Sequence, residues 1–213
     1  MEELYGRISA GVISGDAASI KELTQQALDE GASSIDILQK GLVPGMDHVG
    51  AEFRKGEMYV PEVLLSARAM HGAMNILRPL LAETGAELSG LIVLGTVKGD
   101  LHDIGKNLVG MMLEGAGFEV IDLGVNVEPA KFVEAIRDSK PNVIAMSALL
   151  TTTMHAMQET INAIKEAGVR DQVKIMVGGA PLTADFAEKI GADGFASNAS
   201  AATEKAKQLI GIK

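Results

Sequence analysis

Apolar positions along the chain follow two different rhythms, and the change falls near residue 90. Before it the spacing is helical. Leu4, Tyr5, Ile8 and Val12 share one face of a first segment. Ala17, Ile20, Leu23 and Ala27 share one face of a second, which ends near Gly31. Ser33, with Asp36 three residues on, offers a capping box for a third segment carrying Ile35, Leu38, Leu42, Met46, Val49 and Phe53. Pro44 and Gly45 are expected to interrupt or kink it. The clearest helix comes last: Val63, Ala67, Met70, Met74, Leu77 and Leu81 alternate spacings of four and three, and Pro61 suits its first turn. Four helices joined by short loops predict a small helical bundle over residues 1–88.

From residue 89 to 213 short apolar runs alternate with helical stretches. Leu91–Val97 is a nearly continuous apolar run, the pattern of a strand buried on both faces, and Val120–Leu123, Asn142–Ser147 and Lys174–Val177 resemble it. Gly194–Ser197 is a weaker fifth. Helical stretches fall at about 104–116, 129–139, 153–167, 183–190 and 200–210. Strand and helix in alternation predict an α/β domain, a Rossmann-like (flavodoxin-like) five-stranded parallel sheet with right-handed crossovers. Ligands bind such sheets beyond the carboxyl ends of the strands, so the informative residues are those in the following loops. Thr84–Gly90 reads as the linker between the halves.

Composition narrows the function. The chain has 213 residues, 47% hydrophobic and 22% charged, which suits folded domains and not disorder. A net charge of −9 without a basic stripe argues against nucleic acid and against anionic membrane surfaces. With no cysteine there is no disulfide, no zinc–thiolate site and no cysteine-held iron–sulfur cluster. The first residues show no cationic region followed by an apolar run, and no apolar run is long enough to span a bilayer. A cytoplasmic protein is expected.

The loop after the first strand holds the chemistry: Lys98-Gly99-Asp100-Leu101-His102-Asp103-Ile104-Gly105-Lys106-Asn107. A neutral imidazole is a good ligand for a first-row transition metal. Asp100, two residues before His102, can hold one ring nitrogen while the other faces a metal, fixing the tautomer. One histidine cannot hold a free ion, and no second histidine or cysteine stands nearby, so a metal here needs its other ligands from a macrocycle. Asp100 is equally placed to cap the helix starting near Ile104, Thr151–Thr153 to start a helix, and Gly178 and Gly179 to serve as turn glycines. The Met70 and Met74 stripe reads as core, and His48, His71 and His155 as surface or packing residues.

Asp100-x-His102-x-x-Gly105, Ser147-x-Leu149 at the end of the third strand and Gly178-Gly179 at the end of the fourth resemble, in order and spacing, the motifs of corrinoid (cobalamin-binding) proteins of one-carbon methyltransferase systems. The same motifs mark the cobalamin module of methionine synthase. The helical half, with Phe53 and Gly56-Glu57-Met58-Tyr59-Val60-Pro61, is similar to that family's cap, so the resemblance covers nearly the whole chain. It implies a cobalamin bound base-off, with His102 replacing the displaced base as the lower cobalt ligand. Gly99, Leu101, Asp103, Ile104 and Gly105 would surround that ligand, and Asp100 and Thr153 would extend its hydrogen-bond chain. A slot for the nucleotide tail would be floored by Gly178, Gly179 and Ala180 and lined by Ser147, Leu149 and Thr151, with Ala199 at a tail-contacting position. Phe53 and Val60 would cover the upper face.

The resemblance further implies a methyl carrier and not a complete enzyme. Methyl-bound cobalt keeps a lower ligand and Co(I) prefers to lose it, and the Asp100–His102 pair would buffer the proton involved. The implied partners are a substrate:corrinoid methyltransferase of the methylamine, methanol or methoxyaromatic type, a second methyltransferase passing the methyl to tetrahydrofolate or a thiol, and a reductive activator. The helical half would move through the linker to admit them. A phosphoacceptor receiver domain would need an Asp where Ser147 stands. A cobalamin-dependent sensor would add a DNA-binding module, and an isomerase subunit usually lacks the cap.

Overall fold

A computed structural model describes residues 1–84 and 88–212. By contacts the chain divides into two compact units, one built on residues 1–88 together with 114–117, the other on the remainder.

The first unit is helical: α1 Glu2–Ser14, α2 Ala17–Asp29, a short α3 Ser34–Asp36 running through a π-helical stretch Ile37–Leu42 into α4 Val43–Lys55, and α5 Val60–Thr84. Most of the expected apolar faces are buried, with Ile8, Val12, Ile20, Ala27, Val49, Val63 and Leu77 at 0% exposure, while Ala17, Ile35 and Phe53 are only half-buried. Ser33 caps α3 as its sequence signals, accepting the Asp36 N–H. Pro44 does not break the third segment. Helical conformation continues through Leu42 and Val43 into Pro44, and the expected interruption takes the form of the π-helical stretch one turn earlier. Pro79, which the pattern did not single out, is accommodated inside α5. Gly45 has a packing reason: a Cβ there would stand 2.7 Å from Val12 Cβ, so α1 and α4 close together only around glycine. Of the expected linker, residues 85–87 lie outside the described residues.

The second unit is a five-stranded sheet in the order β2-β1-β3-β4-β5, every neighbouring pair parallel. Its strands are β1 Leu91–Thr96, β2 Glu119–Asp122, β3 Val143–Ser147, β4 Lys174–Gly178 and β5 Gly194–Ala196. The helices are α6 Ile104–Gly115, α7 Pro129–Ser139, α8 Met154–Glu166, α9 Ala184–Ile190 and α10 Ala199–Ile210, with an unforeseen 3-10 turn at Arg170–Gln172. β1, β3 and β4 are buried as their runs predict. β2 is not: it is an edge strand with one neighbour, and Glu119 and Asp122 face solvent. Val93, Ile144, Ile175, Phe132, Met157 and Ile161 form the core of this unit.

Register decides what the sheet presents. Thr96, Ser147, Gly178 and Ala196 pair in sequence across four strands, so the chain leaves β1, β3, β4 and β5 along one row. Strand order reverses between β1 and β3, because β2 follows β1 on one side and β4 follows β3 on the other. That switch point is where α/β sheets take ligands.

Candidate functional site

The loops after β1 and β3 are tied together at the switch point by one carboxylate. Asp100 is fully buried at 0% exposure. Its Oδ1 accepts the backbone N–H of His102 at 3.1 Å and faces His102 Nδ1 at 2.7 Å. Its Oδ2 accepts the N–H of Leu149 at 2.8 Å, the N–H of Leu150 at 3.3 Å and the hydroxyl of Thr153 at 2.7 Å. Asp100 is thus no cap for α6; its carboxylate spans to the β3–α8 loop. Thr153 is buried and its Oγ1 also lies 2.9 Å from the Leu150 carbonyl. Burial alone pushes the Asp100 carboxyl up, but the hydrogen bonds from Thr153, Leu149 and His102 outweigh it and hold the group well below the usual carboxylate range. An ionised carboxylate only accepts. Nδ1 of His102 therefore carries the hydrogen, and in the neutral ring Nε2 keeps its lone pair. The His102 side chain is half exposed.

Around this imidazole stand apolar side chains that the core does not use. Leu101 is 71% exposed, Ile104 76%, Leu149 43% and Leu150 42%. Their positions follow from the fold: Leu101 precedes His102 in the β1–α6 loop, Ile104 opens α6 two residues after it, and Leu149 and Leu150 sit where Asp100 grips the β3–α8 loop. A Cβ at Gly105 would meet nothing within 4 Å, so the start of α6 has open space before it. Among the described residues no group of three or more His, Asp or Glu could hold a bare ion. A single oriented imidazole inside an apolar rim fits a flat macrocycle that supplies the remaining metal ligands.

The glycines at the strand ends have a backbone reason. A Cβ at Gly178 would lie 2.9 Å from the Ala196 carbonyl oxygen, and one at Gly179, whose φ is 138°, would lie 1.8 Å from that of Ala148. Bare backbone lets the three strand ends approach. Ser147 is half-buried and its carbonyl accepts the Val97 N–H at 3.0 Å. Gly99, at φ 80°, makes the turn before Asp100. Asp103, Thr151 and Ala180 are exposed, and Ala199 is buried at the first turn of α10 behind the Asn198 cap. Phe53, half-buried on α4, and Val60, exposed where α5 begins, belong to the helical unit. His71 pairs with Glu114 at 3.1 Å and His155 stands 4.0 Å from Glu159, so neither joins the His102 cluster.

The sequence did not single out Leu150, which supplies both an N–H to Asp100 and exposed apolar surface. Thr96, whose Oγ1 donates to the His102 carbonyl at 2.9 Å, passed as one more buried strand residue. Nor was Asn126 noticed, which accepts the Gly99 N–H at 2.7 Å; an Asn closing a short loop after a strand was its only signal.

Two regions match known families: residues 90–205 match the B12 binding domain, and residues 4–78 match a second family that also bears that description. A corrinoid protein of Desulfitobacterium hafniense is 43% identical over 98% of each chain. The trimethylamine corrinoid protein of Methanosarcina barkeri is 40% identical over 99% of this chain and 98% of its own. Among solved structures, the methanol:cobalamin methyltransferase complex of Methanosarcina barkeri includes a similar chain, at TM-score 0.86 and 30% identity over 98% of this chain and 80% of that one. No helix among the described residues is long and apolar enough to cross a membrane.

Proposed function

The chain belongs to the B12-binding corrinoid proteins, and on that premise we propose that it is a methyl carrier that binds its corrinoid base-off with His102 as the lower cobalt ligand. One observation carries the ligand assignment: Nδ1 of a half-exposed His102 is held 2.7 Å from the buried Asp100 carboxylate, which leaves Nε2 as a free donor. The bound corrinoid supplies the cobalt on which a methyl group is taken up and released.

This chain's own residues then have separate tasks. His102 donates from below, and Asp100 fixes its tautomer and orientation and stabilises the imidazolium if the ring takes up a proton on release. Thr153 and the Leu149 N–H keep Asp100 ionised and in place. Leu101, Ile104, Leu149 and Leu150, exposed in the free chain, would pack on the corrinoid and exclude water from it. Gly178, Gly179 and Ala180 floor the slot for the displaced nucleotide tail, lined by Ser147, Leu149 and Thr151 and reached by Ala199. Phe53 and Val60 cover the opposite face, a role resting on the resemblance of the helical half alone.

The first partner is a substrate:corrinoid methyltransferase, supported by the similar chain in the methanol:cobalamin methyltransferase complex, and a methylamine is the favoured donor class because several relatives carry those names. A second methyltransferase, acting on tetrahydrofolate or a thiol, and a reductive activator complete the cycle.

Reconstitution under reducing conditions tests the reading. The expected result is one corrinoid per chain, with a nitrogen splitting in the electron paramagnetic resonance spectrum of the Co(II) form that His102→Ala abolishes. An unchanged spectrum in that variant would overturn the ligand assignment. Methyl transfer from an amine by the pure protein alone would overturn the carrier reading.

A further inference from the structure

Asp100 can aim His102 only if its own backbone is fixed, and that backbone is gripped from the other side by the loop between β2 and α7. Asn126 Oδ1 accepts the Gly99 N–H at 2.7 Å, and the Asn126 N–H donates to the Asp100 carbonyl at 2.9 Å. Thr96 Oγ1 donates to the His102 carbonyl at 2.9 Å, and the Val127 N–H donates to the Thr96 carbonyl at 2.9 Å. The Lys98–Gly99 peptide, the peptide after Asp100 and the carbonyl of His102 are all held. Asn126 does this with a φ of 52°, a left-handed conformation that few residues other than glycine adopt, and Asn is among those that tolerate it.

The gripping loop is itself anchored to the helix that His102 leads into. Asp122 Oδ1 accepts the Gly124 N–H at 2.8 Å, while its Oδ2 pairs with the Lys106 ammonium. Lys106 is only 2% exposed, in the first turn of α6, and also donates to Asn107 Oδ1 at 2.6 Å. The Gly124 carbonyl accepts the Thr96 N–H at 3.0 Å. A closed circuit results, from Lys106 through Asp122 and Gly124 to Asn126, then to Gly99, Asp100 and His102, and back along the chain to Lys106. A buried lysine sealed by a partner on the edge strand has no part in the carboxylate–imidazole pair; its place in the circuit gives it one.

We propose that Asn126 is a positioning residue for His102, with Thr96 and the Lys106–Asp122 pair as its supports, so that the β2–α7 loop sets the orientation of the cobalt ligand. This rests on the assignment of His102 as that ligand. The side chain of Asn126 is exposed and water competes for its hydrogen bond, so its contribution is to geometry and not to global stability.

Asn126→Gly separates the two, since glycine keeps the positive φ and loses only the Oδ1 acceptor. In the metal-free protein the Gly99 amide should exchange hydrogen about tenfold faster, and corrinoid affinity should fall about tenfold, the low end for a residue supporting a metal ligand. The nitrogen splitting of the Co(II) form should weaken or become heterogeneous. Asn126→Asp, which retains an acceptor oxygen, should restore all three readouts to within about twofold. Wild-type affinity and an unaltered splitting in Asn126→Gly would overturn the proposal. His102→Ala, run alongside, separates the failures: if it also leaves the spectrum unchanged, the ligand assignment falls, and if it alone changes the spectrum, only the brace falls. Should Asn126→Gly not fold, Thr96→Val removes the donor to the His102 carbonyl, with Thr96→Ser as its rescue, and a wild-type spectrum in Thr96→Val would overturn the proposal equally.

Discussion

Asp100→Asn replaces one oxygen of the buried carboxylate by an amide NH2 and leaves its shape unchanged. Every group around Asp100 is a donor, so the amide must set its NH2 against donors on one side. If its oxygen stays at the Oδ2 position, it keeps Thr153 and the N–H groups of Leu149 and Leu150, and the NH2 meets the His102 N–H at 3.1 Å and Nδ1 at 2.7 Å. Turned over, it opposes two backbone N–H groups instead, which is worse. In the better orientation one buried N–H loses its partner, at about 1–3 kcal/mol, and the bonds from Thr153 and Leu149 lose their charge assistance, at about 1 kcal/mol each. With relaxation the stability loss should be about 2–4 kcal/mol, read from urea denaturation of the metal-free protein.

The same change acts on the metal site through the tautomer. Nδ1 can accept from the amide only if the ring hydrogen moves to Nε2, which removes the lone pair that would meet cobalt. Keeping the hydrogen on Nδ1 leaves a second unpaired donor. Either way corrinoid affinity should fall about 10–100-fold, the range for loss of a ligand's supporting carboxylate, with a weakened nitrogen splitting in the Co(II) spectrum. An Asp100→Asn protein that binds corrinoid within twofold of the wild type, with unchanged spectrum and stability, would refute the tautomer reasoning outright.

Other outcomes are expected from the same geometry. Because the Asp100 carboxyl is held below its usual range, its contribution is fully present above the unfolded value of about 3.9 and is lost as pH falls from there towards the folded one; urea midpoints should decline below about pH 4 in the wild type and less steeply in Asp100→Asn. Ile104→Ser removes apolar surface that is 76% exposed, so stability should stay within about 0.5 kcal/mol. Its corrinoid affinity should nevertheless drop about 10–100-fold, since burying an isoleucine against a ligand is worth about 1.5–3 kcal/mol; equal affinity would remove Ile104 from the macrocycle face. Gly179→Ala sets a Cβ 1.8 Å from the Ala148 carbonyl oxygen at a φ of 138°, so backbone must shift, and a loss of about 2–3 kcal/mol in denaturation is expected.

Legibility from sequence followed the kind of interaction. Strands β1, β3 and β4 and all five helices of the sheet unit were visible because burial on a fixed period is written in consecutive residues. β2 was misjudged because exposure at an edge depends on where a strand lies in the sheet order, not on its own apolar run. Pro44 signalled a disturbance of the helix, and the structure has one in the π-helical stretch just before it, a position the residue alone does not specify. Asp100 and His102 stood out because their chemistry lies two residues apart. That Thr153 would close on Asp100 came from the resemblance alone, since 53 residues separate them and only the β1–β3 pairing makes them neighbours.

The residues that sequence reasoning passed over share a further trait. Thr96 and Asn126 act on backbone and Lys106 on the Asn107 and Asp122 side chains, and none carries a side chain that looks suited to a metal or a macrocycle. With His102 as the proposed ligand, their placement is nonetheless what a ligand taken from one loop would require. A bare ion held by three or four side chains is located by its own coordination geometry, each bond correcting the others. A macrocyclic metal accepts one protein ligand, so nothing in the coordination shell corrects an error in that ligand's direction. For His102 that correction would come from three directions: the Asp100 carboxylate, bonded to the β3–α8 loop, Asn126 in the β2–α7 loop, and Thr96, the last residue of β1, which holds the His102 carbonyl. β1 is an interior strand, so the loop after it has a neighbouring loop on each side, one after β2 and one after β3, to hold it, and the order reversal between β1 and β3 leaves space for a ligand there.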